Sequence, residues 1–210
     1  MRSMKWLACS LFVGSLLFVL AANLPAQDPS KLTRTPYYPL QVGTIWHYKS
    51  GDAKFTIRVV RHEKVGEVLC ARLEVNRDGK VVASQHLTVT ADGVYSHDLT
   101  EQSSGKVVTQ TPKPPLCVLK LPPKKGDTWK VDSKGDGKIF RGAFTIGEQK
   151  IKVAAGDYET VRVTSQDLEV NALKPTITTY YARGVGMVKQ VIQVGDATTE
   201  IELEKFESGK

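Results

Sequence analysis

From Tyr37 onward the chain alternates apolar and polar residues with a period of two. In residues 54–61, Phe55, Ile57 and Val59 fall on one face, the pattern of a half-buried strand. Residues 67–75 divide likewise, with Val68, Cys70, Arg72 and Glu74 opposite Leu69, Ala71, Leu73 and Val75. Near the end, Ile201, Leu203 and Lys205 alternate with Glu200, Glu202 and Glu204, as in a strand with one wet face. The same reading predicts strands over 44–49, 81–90, 94–97, 128–132, 138–146, 149–154, 158–166, 176–182, 187–194 and 198–206. Asn76-Arg-Asp-Gly79, Ala91-Asp-Gly93, Ala154-Ala-Gly-Asp157 and Gly195-Asp196 punctuate them as turns. No window of a dozen residues carries a helical stripe, and residues 166–174 are the best place for a short helical or irregular connection. Residues 111–115 and 121–123 hold five of the ten prolines. They read as a loop or a sheet edge, because proline has no N–H to give to a ladder. The prediction is one all-β domain over residues 37–208, a curved antiparallel sheet forming an open half-barrel or barrel, behind an irregular lead-in at 27–36.

A duplication sharpens this picture. Pro39-Leu-Gln-Val-Gly43-Thr-Ile-Trp46 and Pro122-Pro-Lys-Lys-Gly126-Asp-Thr-Trp129 share the pattern P-x-x-x-G-x-x-W. The segment at 71–75 has a counterpart at 160–163, and Ala91-Asp-Gly-Val94 one in Ala182-Arg-Gly-Val185. The offsets grow slowly, as loop insertions in a duplicated unit would make them. Two similar β-units are expected, at about 37–110 and 120–206. In each, proline ends a loop, glycine bends the chain, and tryptophan enters a strand and buries a large ring.

The N-terminus is different. Arg2 and Lys5 precede an almost wholly apolar run from Trp6 to Ala22, followed by the small residues Ala21, Ala22 and Ala26. This is the order of a secretory signal peptide, here taken as residues 1–26; the alternative is an uncleaved anchor, which would be the protein's only membrane contact. Cys9 lies too early in the run to be a lipidated cysteine. Export places the body in the periplasm or outside the cell. The chain carries a net charge of +7; the signal takes two positive charges with it, and those left are scattered apart from Lys120, Lys124 and Lys125. Such a spread does not fit a nucleic-acid binder but permits attraction to anionic envelope polymers. The two remaining cysteines, Cys70 and Cys117, suggest one disulfide in an oxidising compartment; the alternative is two separate buried thiols.

The segments Tyr37-Tyr-Pro-Leu-Gln-Val-Gly-Thr-Ile-Trp-His-Tyr48 and Tyr180-Tyr-Ala-Arg-Gly-Val-Gly-Met-Val-Lys189 resemble those of uncharacterised exported bacterial β-proteins. These look like relatives of periplasmic domains of unknown function with an open half-barrel sheet, a fold broadly similar to that of the lipoprotein-carrier proteins of the bacterial envelope. The resemblance implies a half-barrel and brings no catalytic residues with it.

Candidate chemistry is sparse. His47, His62, His86 and His97 show no local chelating pair and read as solvent-facing; a zinc site would need several of them to converge. His97-Asp98 lacks a nucleophile motif. Asp127, Asp132 and Asp136 depart from the calcium-loop pattern. No catalytic residue, metal or cofactor is expected. The expected function is that of a non-enzymatic envelope protein holding a lipid, a lipidated protein or a surface polymer on a sheet face, with Trp46, Tyr48, Trp129, Tyr180 and Tyr181 as candidate ligand contacts. The rivals are a metal-dependent hydrolase using the strand histidines and a purely structural envelope subunit.

Overall fold

The computed structural model describes residues 32–210 apart from residues 104 and 172; the predicted signal segment and the start of the lead-in lie outside them. Thirteen strands follow one another: β1 (Ile45–Ser50), β2 (Ala53–Val65), β3 (Val68–Arg77), β4 (Lys80–Val89), β5 (Gly93–Ser103), β6 (Lys106–Gln110), β7 (Leu116–Lys120), β8 (Thr128–Gly135), β9 (Lys138–Val153), β10 (Gly156–Val170), β11 (Thr176–Ala182), β12 (Gly186–Val194) and β13 (Ala197–Glu207). All pairings between them are antiparallel, in the order β6-β5-β4-β3-β2-β1-β13-β12-β11-β10-β9-β8, with β7 also paired to β5. The sheet therefore curls into a barrel that is nearly closed, with one seam between β7 and β8. Among the described residues, one isolated backbone bridge crosses that seam, Lys113 to Lys134.

Period-two alternation builds these strands. In β8, Val131 and Ser133 are buried while Lys130, Asp132 and Lys134 are exposed, so one face enters the core and the other meets water. Among the predicted boundaries that change, three shape the region described below. Residues 138–153 form one unbroken strand. The expected connection at 166–174 is instead largely strand: β10 runs to Val170 through an irregularity between Gln166 and Glu169, where Asp167 takes a left-handed φ of 48°. The extra residue of such a bulge breaks the alternation that marks a strand. Third, β6 and β7 flank the proline stretch, which interrupts what would otherwise be one strand antiparallel to β5.

The two β-units start alike. Gly43 N–H donates to Val59 O, Thr44 N–H to Gln41 O, and Val59 N–H to Thr44 O. Gly126 N–H donates to Ile146 O, Asp127 N–H to Lys124 O, and Ile146 N–H to Asp127 O. Gly43 and Gly126 have φ values of 89° and 88°, a conformation open to glycine and costly for side chains. Trp46 then pairs with Ile57, and Trp129 with Phe144. The β8–β9 hairpin is longer than β1–β2, which explains part of the growing offset. One hydrophobic core, containing Trp46, Val59, Leu73, Ile146, Val163, Val188 and Leu203, runs through both units.

Candidate functional site

The two motifs behind the family resemblance pack against each other. Trp46 Nε1–H donates to Val185 O at 2.6 Å and Tyr48 Oη–H to Met187 O at 2.7 Å. A Cβ on Gly186 would come within 3.4 Å of the Trp46 indole nitrogen. Both Trp46 and Tyr48 are 2% exposed, and Trp46 lies between Tyr38 and Phe206 with ring centroids 5.9 and 6.0 Å away. These two candidate contacts are sealed in the core. Burial lifts the Tyr48 and Tyr181 hydroxyls well above their ordinary range.

Trp129, the counterpart of Trp46, stands at the seam and is only half-buried. It stacks on Phe144 at 5.4 Å, and its Nε1–H donates to Cys117 O in β7 at 3.0 Å. An indole side chain thus bridges β8 to β7 where paired backbones would lie about 4.8 Å apart. Among the described residues the seam is a wedge in its bonding, with paired backbones at the Lys113–Lys134 end and the indole as the link at the Trp129 end.

Two hollows flank this wedge. One is a cavity of about 210 Å³ with a lining that includes Val118, Phe140, Phe144, Leu168, Ile177 and Tyr181. The other is a cleft of about 320 Å³ along Trp129 to Ser133 and across to Pro114, Pro115 and Lys120. Cys117 and Val131 line both. The cavity has a cause in the sequence. Tyr48 faces Phe55 in the first unit, the two rings stacked at 5.6 Å; the equivalent facing pair in the second is Val131 and Gly142. Val131, which lines the cavity, thus stands where the first unit has the Tyr48 ring; the space beside Gly142 is taken by the β10 bulge, since a Cβ there would come within 2.8 Å of Leu168 Cα. Polar groups in the lining are few, and Gln190 Nε2–H donates to Thr179 Oγ1 at 3.0 Å.

The remaining candidates are dispersed. Tyr181 lines the cavity, whereas its neighbour Tyr180, facing the other side of β11, is only half-buried. A larger groove of about 560 Å³ over β1–β3 is edged by Lys54, Arg58, Glu74 and Asp78, charged side chains at an open surface.

The predicted disulfide is corrected: Cys70 and Cys117 are both free. Cys70 is on β3 and Cys117 on β7, with β4 and β5 between them. Three strand spacings amount to about 14 Å, twice the Cα separation a disulfide can bridge. Burial pushes both thiols up to about 11, so they remain protonated and poorly nucleophilic near neutral pH.

The solvent-facing reading of the histidines fails at His86. Its side chain is 12% exposed, with Nε2 2.8 Å from Glu63 Oε1 and Nδ1 2.8 Å from Asp98 Oδ2. Arg61 Nε–H donates to Glu63 at 2.9 Å, and that guanidinium, with His86, holds the Glu63 carboxyl down to about 2. Asp98 thus serves His86 and not its sequence neighbour His97. The Nε2 of His97 is buried without a partner, and burial lowers that imidazole's pKa. His47 meets Glu207 at 2.7 Å, and His62 meets Leu40 O at 2.7 Å. Among the described residues no three His, Cys, Asp or Glu side chains converge as a metal site would require. Asp127, Asp132 and Asp136 are also apart, facing Lys120, Arg141 and the Thr111 N–H respectively.

No family model and no curated protein matches the chain. It is similar to two solved structures. One is an inferred exported protein of YmcC-like fold from Bacteroides fragilis, 13% identical, covering 82% of this chain and 99% of that one, at a TM-score of 0.45. The other is an inferred lipoprotein from Parabacteroides distasonis, 12% identical, covering 81% and 98%, at a TM-score of 0.41. At those values the likeness carries no argument about ligand or activity.

Proposed function

We propose that this is a non-enzymatic bacterial envelope protein, exported to the periplasm or beyond, that holds the acyl chain of a lipid or of a lipidated protein in the seam cavity. The observation that carries this reading is an apolar hollow of about 210 Å³ beside the seam of the barrel. It is smaller than the roughly 300–1,000 Å³ of a drug-sized ligand pocket, so it suits a narrow chain better than a fused-ring molecule. Its lining is aromatic and branched aliphatic, and burying each CH₂ of a chain there contributes about 0.8 kcal/mol. The N-terminal pattern supports the compartment. A surface polymer is less well served, because Trp46 and Tyr48 are enclosed and offer no stacking platform.

Titration with cis-parinaric acid, a fluorescent fatty acid, tests the reading. Saturable binding is expected, displaced by an unlabelled fatty acid and lost in Ile177→Trp, which places a large ring in the cavity. A Val107→Ser control on exposed β6 should bind normally. Absence of binding, or binding that survives Ile177→Trp in a folded protein, would refute the proposal.

A further inference from the structure

The repeat identifies a strand position that is filled in one unit and unfilled in the other. Just before β1, Thr44 turns its C=O toward β2, as Trp46 and Tyr48 turn their backbone groups, and Ile45 and His47 turn theirs toward β13, where they pair with Glu207 and Lys205. On β8 the same alternation directs Asp127, Trp129, Val131 and Ser133 to β9. Lys134 points the other way, exchanging both backbone hydrogen bonds with Lys113. The N–H and C=O groups of Thr128, Lys130 and Asp132 therefore point into the seam, where β8 has no strand partner among the described residues. The broken β6–β7 segment runs where a partner would, but its central prolines have no N–H to pair with.

We propose that the β8 edge accepts an extended acidic–apolar segment of a partner protein, added as a strand antiparallel to β8 along Thr128–Asp132. The occupant follows from what β13 does for β1. Phe206 of β13 packs on Trp46, and its glutamates meet the basic outer face: Glu207 with His47 at 2.7 Å, Glu204 with Lys54 at 3.1 Å and Glu202 with Lys49 at 3.7 Å. In the second unit Lys130 stands in the place of His47 and Arg141 in that of Lys54, with Asp132 as the one reversal, compensated by Arg141 at 3.5 Å. Lys113 and Lys120 border the far side. An incoming strand that alternates glutamate with aromatic or aliphatic residues would part β7 from β8, replacing the Trp129–Cys117 hydrogen bond, neutralise this rim and cover Trp129. Main-chain bonds would supply affinity and the alternating side chains selectivity, as in other strand additions. The proposal stands apart from the cavity and does not need it.

The probe is a synthetic peptide copying Ala197–Glu207, titrated into the full chain while amide exchange is followed. Protection of Thr128, Lys130 and Asp132 should rise at least about ten-fold, with a shift in Trp129 emission, and a peptide with its glutamates changed to lysine should bind at least about ten-fold more weakly. Lys130→Pro should fold, because the lost N–H faces an unpaired edge, and should lose peptide binding while keeping fatty-acid binding. Unchanged protection at millimolar peptide overturns the proposal, as does equal binding of the charge-reversed peptide. A concentration-dependent dimer with β8 already protected would assign the edge to a second copy and overturn it too.

Discussion

The β1 and β8 edges begin with the same turn and the same tryptophan, yet one is closed and the other is not. At β1, Trp46 is enclosed by Tyr38, Phe206 and the β11–β12 turn, and β13 completes the sheet. At β8, Trp129 has one aromatic neighbour and one hydrogen bond across a wedge. The glycine bend and the indole are the same in both, so the difference lies in the strand available to cover each edge. An unbroken strand of eleven residues comes after β12, whereas two strands of five residues separated by prolines come after β5. The two edges thus differ by one broken strand and by Val131 standing where the first unit has the Tyr48 ring, with the starting turn unchanged.

The comparison is broken most directly by removing the two indoles. Trp46→Ala should cost about 3–5 kcal/mol, the range for a large buried aromatic, and Trp129→Ala about half of that, because half of its surface already meets solvent at the wedge. Urea unfolding of both variants gives the two values. Equal costs would mean that the seam is packed as tightly as the β1 edge.

A smaller difference lies in charge, since the Glu63–His86–Asp98 cluster belongs to the first unit. The folded carboxyl of Glu63 lies at about 2, below the ordinary glutamate value of about 4.3. Its contribution is therefore fully present above about pH 5 and is lost as pH falls through about 2. For a partly exposed pair it should amount to about 1 kcal/mol or less. Glu63→Gln should lower stability by that amount at pH 6 and by almost nothing near pH 2, read from urea unfolding at each pH. A constant difference across that range would remove Glu63 from the account.

Much of the fold was legible because strand formation here follows the period-two pattern, which Phe55, Ile57 and Val59 or Glu200, Glu202 and Glu204 display without help from the rest of the chain. The two-unit start was legible for a related reason: a glycine at φ near +90° and a tryptophan one strand turn later are local demands. The misses have physical causes as well. The strand beyond Gln166 was hidden by a bulge that breaks the alternation. The Cys70–Cys117 separation depends on how many strands intervene, which neighbouring residues do not encode. The burial of His86 depends on Glu63 and Asp98, which come from two other strands. The cavity did leave a signal: extending the P-x-x-x-G-x-x-W alignment by two residues sets Tyr48 against Val131, a ring against a small side chain.

The sheet opens at β7/β8 and stays paired along β1/β13. Residue-resolved hydrogen exchange on the free protein tests it most directly. The amides of Thr128, Lys130 and Asp132 should exchange on the order of 100-fold faster than those of Ile45 and His47, because an unpaired edge opens without breaking a ladder. Comparable protection at the two sets of amides would mean that β8 is paired like β1, and would contradict the account.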